Sequence, residues 1–216
     1  MTPTHHPDDA WLLSYAAGSL DLGQHIAVAT HLRGCLRCRA WTRTMERMGG
    51  AMLSDARPAE LSDGALEQAL ARIEDAASAK TPATFDARFQ DRPAQLPRFV
   101  RSYSFGPWRK LGSVVRTREI MLPEAGATRV LLLESSPGAK VFAHTHGPLE
   151  MTCVLTGAFH HRGGRFGPGD FDLAEGEVHH APEIEDGEAC LCLVAMQGEL
   201  RWQGLIGRLL QPFIRL

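Results

Sequence analysis

The chain has 216 residues, with 23 basic against 25 acidic side chains and a formal net charge of -2. No broad electropositive field exists to attract nucleic acid, so direct DNA binding is not expected. No stretch approaches the roughly 20 apolar residues that span a bilayer, and the opening MTPTHHPDDA lacks the basic-then-apolar order of a leader, so a soluble, unexported protein is expected. Five cysteines, an odd number in a chain long enough to bury a core, argue against a disulfide framework and for thiol or metal chemistry.

Length favours two modest domains. Residues 8–77 are rich in Ala, Leu, Met and Arg, with apolar residues at helical spacing. Asp8 or Asp9 caps a first helix carrying Trp11, Leu12 and Tyr15, which Gly18 ends. A second helix is predicted over Gln24–Arg33, broken by Gly34. A third runs from Leu36 or Cys38 towards Met52, weakened by Gly49 and Gly50. Ser62 caps a fourth, whose Leu66, Ala69, Leu70 and Ile73 form one apolar stripe.

Residues 81–97 carry prolines and no steady period, as an interdomain linker does, which leaves the halves 1–80 and 98–216 free to move relative to one another. Beyond it, short β-rich runs at Ser113–Arg118, Thr128–Glu134, Thr152–Phe159 and Ala189–Ala195 alternate with Gly and Pro turns, predicting an antiparallel barrel or sandwich. The expected fold class is α+β: a small helical bundle followed by an antiparallel β-barrel.

Two clusters carry chemistry. His31-x3-Cys35-x2-Cys38 offers an imidazole and two thiols at a helix end, a mixture of nitrogen and sulfur that zinc favours. A closed site wants a fourth ligand, for which His5, His6 and His25 are available and His6 is the choice. The bland alternative makes Cys35 a buried small hydrophobe. The second cluster is Gly138-x5-His144-x-His146-x3-Glu150-x6-Gly157, whose alternation sets both imidazoles on one face of a strand with a carboxylate in reach. Gly169-Asp170 leads after a short strand to His179 and His180, and only one of these neighbours should point inward. Cys153, Cys190 and Cys192 read as buried strand residues.

The second cluster resembles the paired motifs of the cupin superfamily, which implies a small β-barrel holding a divalent metal, zinc among the options, on His144, His146, Glu150 and His180. Glu175 and Glu177 stand where cupins often carry Pro and Gly, and a one-residue shift selects His179 instead. With His6, the segment Ala29-Thr30-His31-Leu32, Cys35, Cys38 and the ending Leu210-Gln211-Pro212-Phe213, the chain resembles the ChrR family of zinc-binding anti-sigma factors. That resemblance implies a cytoplasmic regulator that binds an extracytoplasmic-function sigma factor through its helices and blocks transcription. It further implies that the first zinc is structural and that the cupin metal receives a signal such as singlet oxygen. The stripe Leu66, Leu70 and Ile73 is the expected partner-binding surface, since so small a domain cannot bury it fully. The competing expectation is a metal-dependent cupin dioxygenase or isomerase with an accessory zinc domain.

Overall fold

A computed structural model describes residues 2–79, 95–123, 126–141, 144–145, 147–176, 179–198 and 201–202. Most of the expected linker, His146 and the ending 210–213 lie outside them.

Four helices come first: α1 (Asp9–Ala16), α2 (Leu22–Gly34), α3 (Leu36–Ser54) and α4 (Ala65–Ala79). Asp8 caps α1 by accepting from the Trp11 N–H, and Gly18 follows with φ +67, the left-handed conformation that glycine supplies cheaply. α2 starts two residues ahead of the expected Gln24. Asp21 accepts from the Gln24 N–H while the Gln24 side chain accepts from the Asp21 N–H, a reciprocal cap. α3 runs unbroken through Gly49 and Gly50, so its length is set by the residues around them. α4 begins three residues after Ser62, because Gly64 sits at φ +75 and cannot be part of the helix.

The strands are β1 (Ser104–Phe105), β2 (Arg109–Leu111), β3 (Val115–Met121), β4 (Thr128–Ser135), β5 (His144–Thr145), β6 (Leu149–Thr156) and β7 (Phe159–His161), then β8 (Gly164–Phe166), β9 (Phe171–Glu175), β10 (His179–His180), β11 (Glu183–Ile184), β12 (Cys190–Gln197) and β13 (Arg201–Trp202). All pairings are antiparallel among the described residues. A seven-stranded sheet takes the order β1-β3-β4-β12-β6-β9, with β2 on β3; β10-β5-β13 and β11-β7-β8 form two smaller sheets. The strands form the expected antiparallel cupin-like fold, which among the described residues is divided into three sheets that are not hydrogen-bonded into one closed barrel. Gly157, at φ +65, turns the chain out of the large sheet between β6 and β7, where any Cβ would stand 2.6 Å from the Ala189 carbonyl oxygen.

Strand alternation sorts the large sheet into two buried faces. Leu131, Val154, Cys190, Cys192, Val194 and Met196 face the small sheets and meet Phe159, Phe166 and Ile184. Val130, Leu132, Met151, Cys153, Leu193 and Ala195 face the other way and share a core with Leu12, Ile26, Val28 and Leu32 of the helices. Burial on both sides explains why β12 reads as the continuous run CLCLVAM. The helical half is thus seated on the sheet rather than standing apart from it. The three strand cysteines are core residues, at 1–3 % exposure.

The seat is specific. A Cβ at Gly23 would lie 2.7 Å from the Thr128 carbonyl oxygen, so only glycine lets α2 approach β4 this closely. The Thr128 hydroxyl donates to the Asp21 carboxylate and accepts from the Gln197 amide at 3.0 Å, tying the cap of α2 to β4 and β12. No described residue of α4 is buried, by contrast.

Candidate metal centre

The break between α2 and α3 builds the site. His31 lies in the last turn of α2; Cys35, extended at φ -101 and ψ 105, ends that helix and caps the next; Cys38 falls in the first turn of α3. The Cys38 N–H donates to Cys35 Sγ at 3.4 Å, a bond that suits a metal-bound thiolate. His6 arrives from the segment ahead of α1.

The four ligand atoms lie within 4.8 Å of one another. His6 Nδ1 is 3.4 Å from Cys35 Sγ, Cys38 Sγ and His31 Nε2 alike, and His31 Nε2 is 3.4 Å from Cys38 Sγ. A tetrahedral zinc about 2.0–2.1 Å from nitrogen and about 2.3 Å from sulfur sets nitrogens about 3.3 Å apart and nitrogen–sulfur pairs about 3.6 Å apart. The donor set fits such an ion in both chemistry and spacing. Of the other histidines weighed for the fourth position, His25 stacks on Tyr15 at 4.4 Å and His5 on Phe166 at 4.1 Å, so neither belongs to the cluster.

His31 is fully buried. Its Nδ1–H donates to the Gly169 carbonyl oxygen at 2.8 Å, which fixes the tautomer and leaves the Nε2 lone pair facing the cluster. Burial drives its pKa down to about 4, so the ring is neutral at pH 7 and able to serve as a ligand. His6 is also lowered, by burial first and then by the Arg37 charge. Burial, with the hydrogen bond to Cys35, pushes the Cys38 thiol up to about 12 in the metal-free chain. Sequence reasoning missed Gly169 as a partner of this site, because a backbone carbonyl leaves no signature in a side-chain pattern.

The second cluster is defined through its backbone and Glu150. His180 is the cross-strand partner of His144, and His179 that of Thr145, in the β10–β5 pair. Glu150 on β6 accepts from the Thr152 hydroxyl at 3.2 Å and lines a cavity of about 70 Å³ between the sheets. Leu131, Leu133, Val194 and Met196 share that lining with Asp172 and Ser135. Ser135 Oγ is buried there with no hydrogen-bond partner among the described residues.

On α4 the expected partner surface is open: Leu66 is 64 % exposed, Leu70 51 % and Ile73 65 %. Met48, Met52 and Leu53 near the end of α3, and Leu61 in the turn after it, are exposed as well. No described helix is long and apolar enough to cross a membrane.

Residues 98–199 match the ChrR cupin-like domain. The chain is 38 % identical to the Anti-sigma-E factor ChrR of Cereibacter sphaeroides over 218 residues, covering all of both chains. Its fold superposes with a TM-score of 0.72 and 34 % identity on a chain from the crystal structure of Rhodobacter sphaeroides SigE in complex with the anti-sigma ChrR, covering 91 % of this chain and all of that one. With residues 98–199 matching the ChrR cupin-like domain and 38 % identity to an anti-sigma factor ChrR over the whole chain, this chain belongs to the ChrR family of anti-sigma factors.

Proposed function

We propose that the chain binds an extracytoplasmic-function sigma factor through the exposed apolar surface of α3 and α4 and keeps it from RNA polymerase. The observation that carries this reading is the open face of Leu66, Leu70 and Ile73 in a chain related end to end to an anti-sigma factor. A row of large apolar side chains this exposed suits a protein partner. Family membership sets the chain among regulators, and the dioxygenase or isomerase reading gives way to it.

Zinc held by His6, His31, Cys35 and Cys38 acts here as a structural ion. Bound there, it would join the end of α2, the start of α3 and the N-terminal segment and so fix the angle between α2 and α3. Four such ligands would complete a tetrahedral zinc site and leave no position open for catalysis.

The cupin half receives the signal in this proposal. Glu150, His144, His146 and His180, or His179 in place of His180, hold a second divalent ion, and an oxidant reaching it leads to release of the sigma factor in the cytoplasm. The pairing of His144 with His180 across β5 and β10 supports the choice of His180. The test is sigma binding by the full-length chain before and after oxidant. His144→Ala should bind as wild type and resist release; release at the wild-type rate in that variant defeats the sensor role.

A further inference from the structure

The segment ahead of α1 is fastened to the β half. Asp170, 5 % exposed, accepts from the backbone N–H groups of Thr4 and His5 on Oδ1 and from the Gly167 N–H on Oδ2, the last two at 2.9 and 2.8 Å. The Thr4 hydroxyl adds a bond to Oδ1 at 3.2 Å, and the Phe171 N–H donates to the His5 carbonyl oxygen at 3.2 Å. Phe166 stacks under the His5 ring. Gly169 sits at φ +89, where a Cβ would come within 2.9 Å of Pro3 Cγ. Burial alone would raise the Asp170 carboxyl, but the N–H bonds from Gly167, His5 and Thr4 outweigh it and hold it below the ordinary range.

The next residue after His5 is the ligand His6, and the residue before Asp170 is Gly169, whose carbonyl holds the ring of the ligand His31. One turn of the β half therefore grips the backbone leading to one ligand and the imidazole of another.

We propose that Asp170 is a positioning residue for the N-terminal metal site, anchoring Thr4 and His5 so that His6 reaches the ion, and that zinc affinity at the helices consequently depends on the 167–170 turn. This rests on reading His6, His31, Cys35 and Cys38 as zinc ligands. Groups that orient ligands without touching the metal commonly govern about 10–100-fold in affinity. The turn is also where a rearrangement of the cupin half would reach the zinc site.

The test uses the full-length chain and cobalt(II) as probe. Cobalt bound by Cys35 and Cys38 gives a sulfur-to-metal charge-transfer band, which the second cluster, with no sulfur donor, cannot give. Zinc affinity then follows from displacement of that band. Asp170→Ala should weaken zinc binding about 10–100-fold and alter the visible cobalt bands as His6 is lost. Asp170→Asn should fall between, because its amide oxygen still accepts from Thr4 and His5 while its NH2 faces the Gly167 N–H. Thr4→Pro deletes both the N–H and the hydroxyl that donate to Asp170 and leaves every strand intact, so it decides the matter if the Asp170 variants misfold; it should weaken zinc binding in the same direction. Affinities within twofold of wild type for Asp170→Ala and Thr4→Pro, with His6→Ala still weakened, overturn the anchoring role alone. Absence of the charge-transfer band in wild type overturns the zinc reading and this proposal with it.

Discussion

His31 Nδ1 lies 2.8 Å from the carbonyl oxygen of Gly169, 138 residues further along the chain. That bond joins the last turn of α2 to the turn before β9, so the metal cluster is supported from both halves of the protein. It also sets the protonation pattern of the site, since a ring that donates from Nδ1 offers its lone pair at Nε2.

Zinc binding should strengthen with pH. At pH 7 the metal-free chain holds His31 neutral, with its pKa down at about 4, and keeps the Cys38 thiol protonated, with its pKa up at about 12. Zinc must displace the thiol proton, and every unit of pH that lowers proton concentration favours the metal-bound form until the thiol would ionise unaided. Chelator competition between pH 6 and pH 8 should show affinity rising throughout. A flat profile means that Cys38 is no ligand.

Substitution of Leu70 by Asp should separate binding from stability. The side chain is half exposed and its helix has no buried residue among those described. Thermal unfolding should change by no more than about 0.5 kcal/mol, while sigma binding should fall at least about tenfold. Leu66→Asp and Ile73→Asp should follow. Unchanged affinity in all three would move the partner surface elsewhere.

Two glycines of the helices predict opposite signs. Gly23→Ala gains helix propensity of about 1 kcal/mol but drives a Cβ to 2.7 Å from the Thr128 carbonyl oxygen, so net destabilisation of about 1–2 kcal/mol is expected. Gly49→Ala meets nothing within 4 Å and should stabilise by about 0.5–1 kcal/mol. Denaturant unfolding of the two variants checks both; a stabilised Gly23→Ala would mean that α2 does not sit on the sheet as described.

Ser135→Ala should be neutral or stabilising by about 1 kcal/mol, because the hydroxyl is buried with no partner among the described residues and its removal orphans no described donor or acceptor. A clear loss of stability would show that the hydroxyl is hydrogen-bonded in solution.

The helices and strands were legible where a single period persists. Trp11, Leu12 and Tyr15 fall at helical spacing in α1, and the predicted runs Thr128–Glu134 and Ala189–Ala195 coincide with β4 and β12. The seat of α2 was not legible. A continuous apolar run such as β12 signals burial on both faces, but nothing local says that a helix more than 150 residues earlier covers the second one. His31, Cys35 and Cys38 could be read because one helix junction brings them together. His6 needed a choice among three histidines, and its support by Asp170 could not be read, since the bonds run to backbone N–H groups of Thr4 and His5 that any sequence would supply. The antiparallel cupin-like fold was legible from the β-rich runs, but not that, among the described residues, β7, β8 and β11 pair with one another and leave the large sheet unclosed.

The most direct test of the account is promoter-dependent transcription by RNA polymerase reconstituted with each extracytoplasmic-function sigma factor of the chain's own genome, in the presence of the zinc-loaded full-length protein. One of these sigma factors should be silenced at near-equimolar protein, and His31→Ala or Cys35→Ser should restore transcription. Full transcription from every sigma factor with the zinc-loaded wild-type chain present would contradict the account.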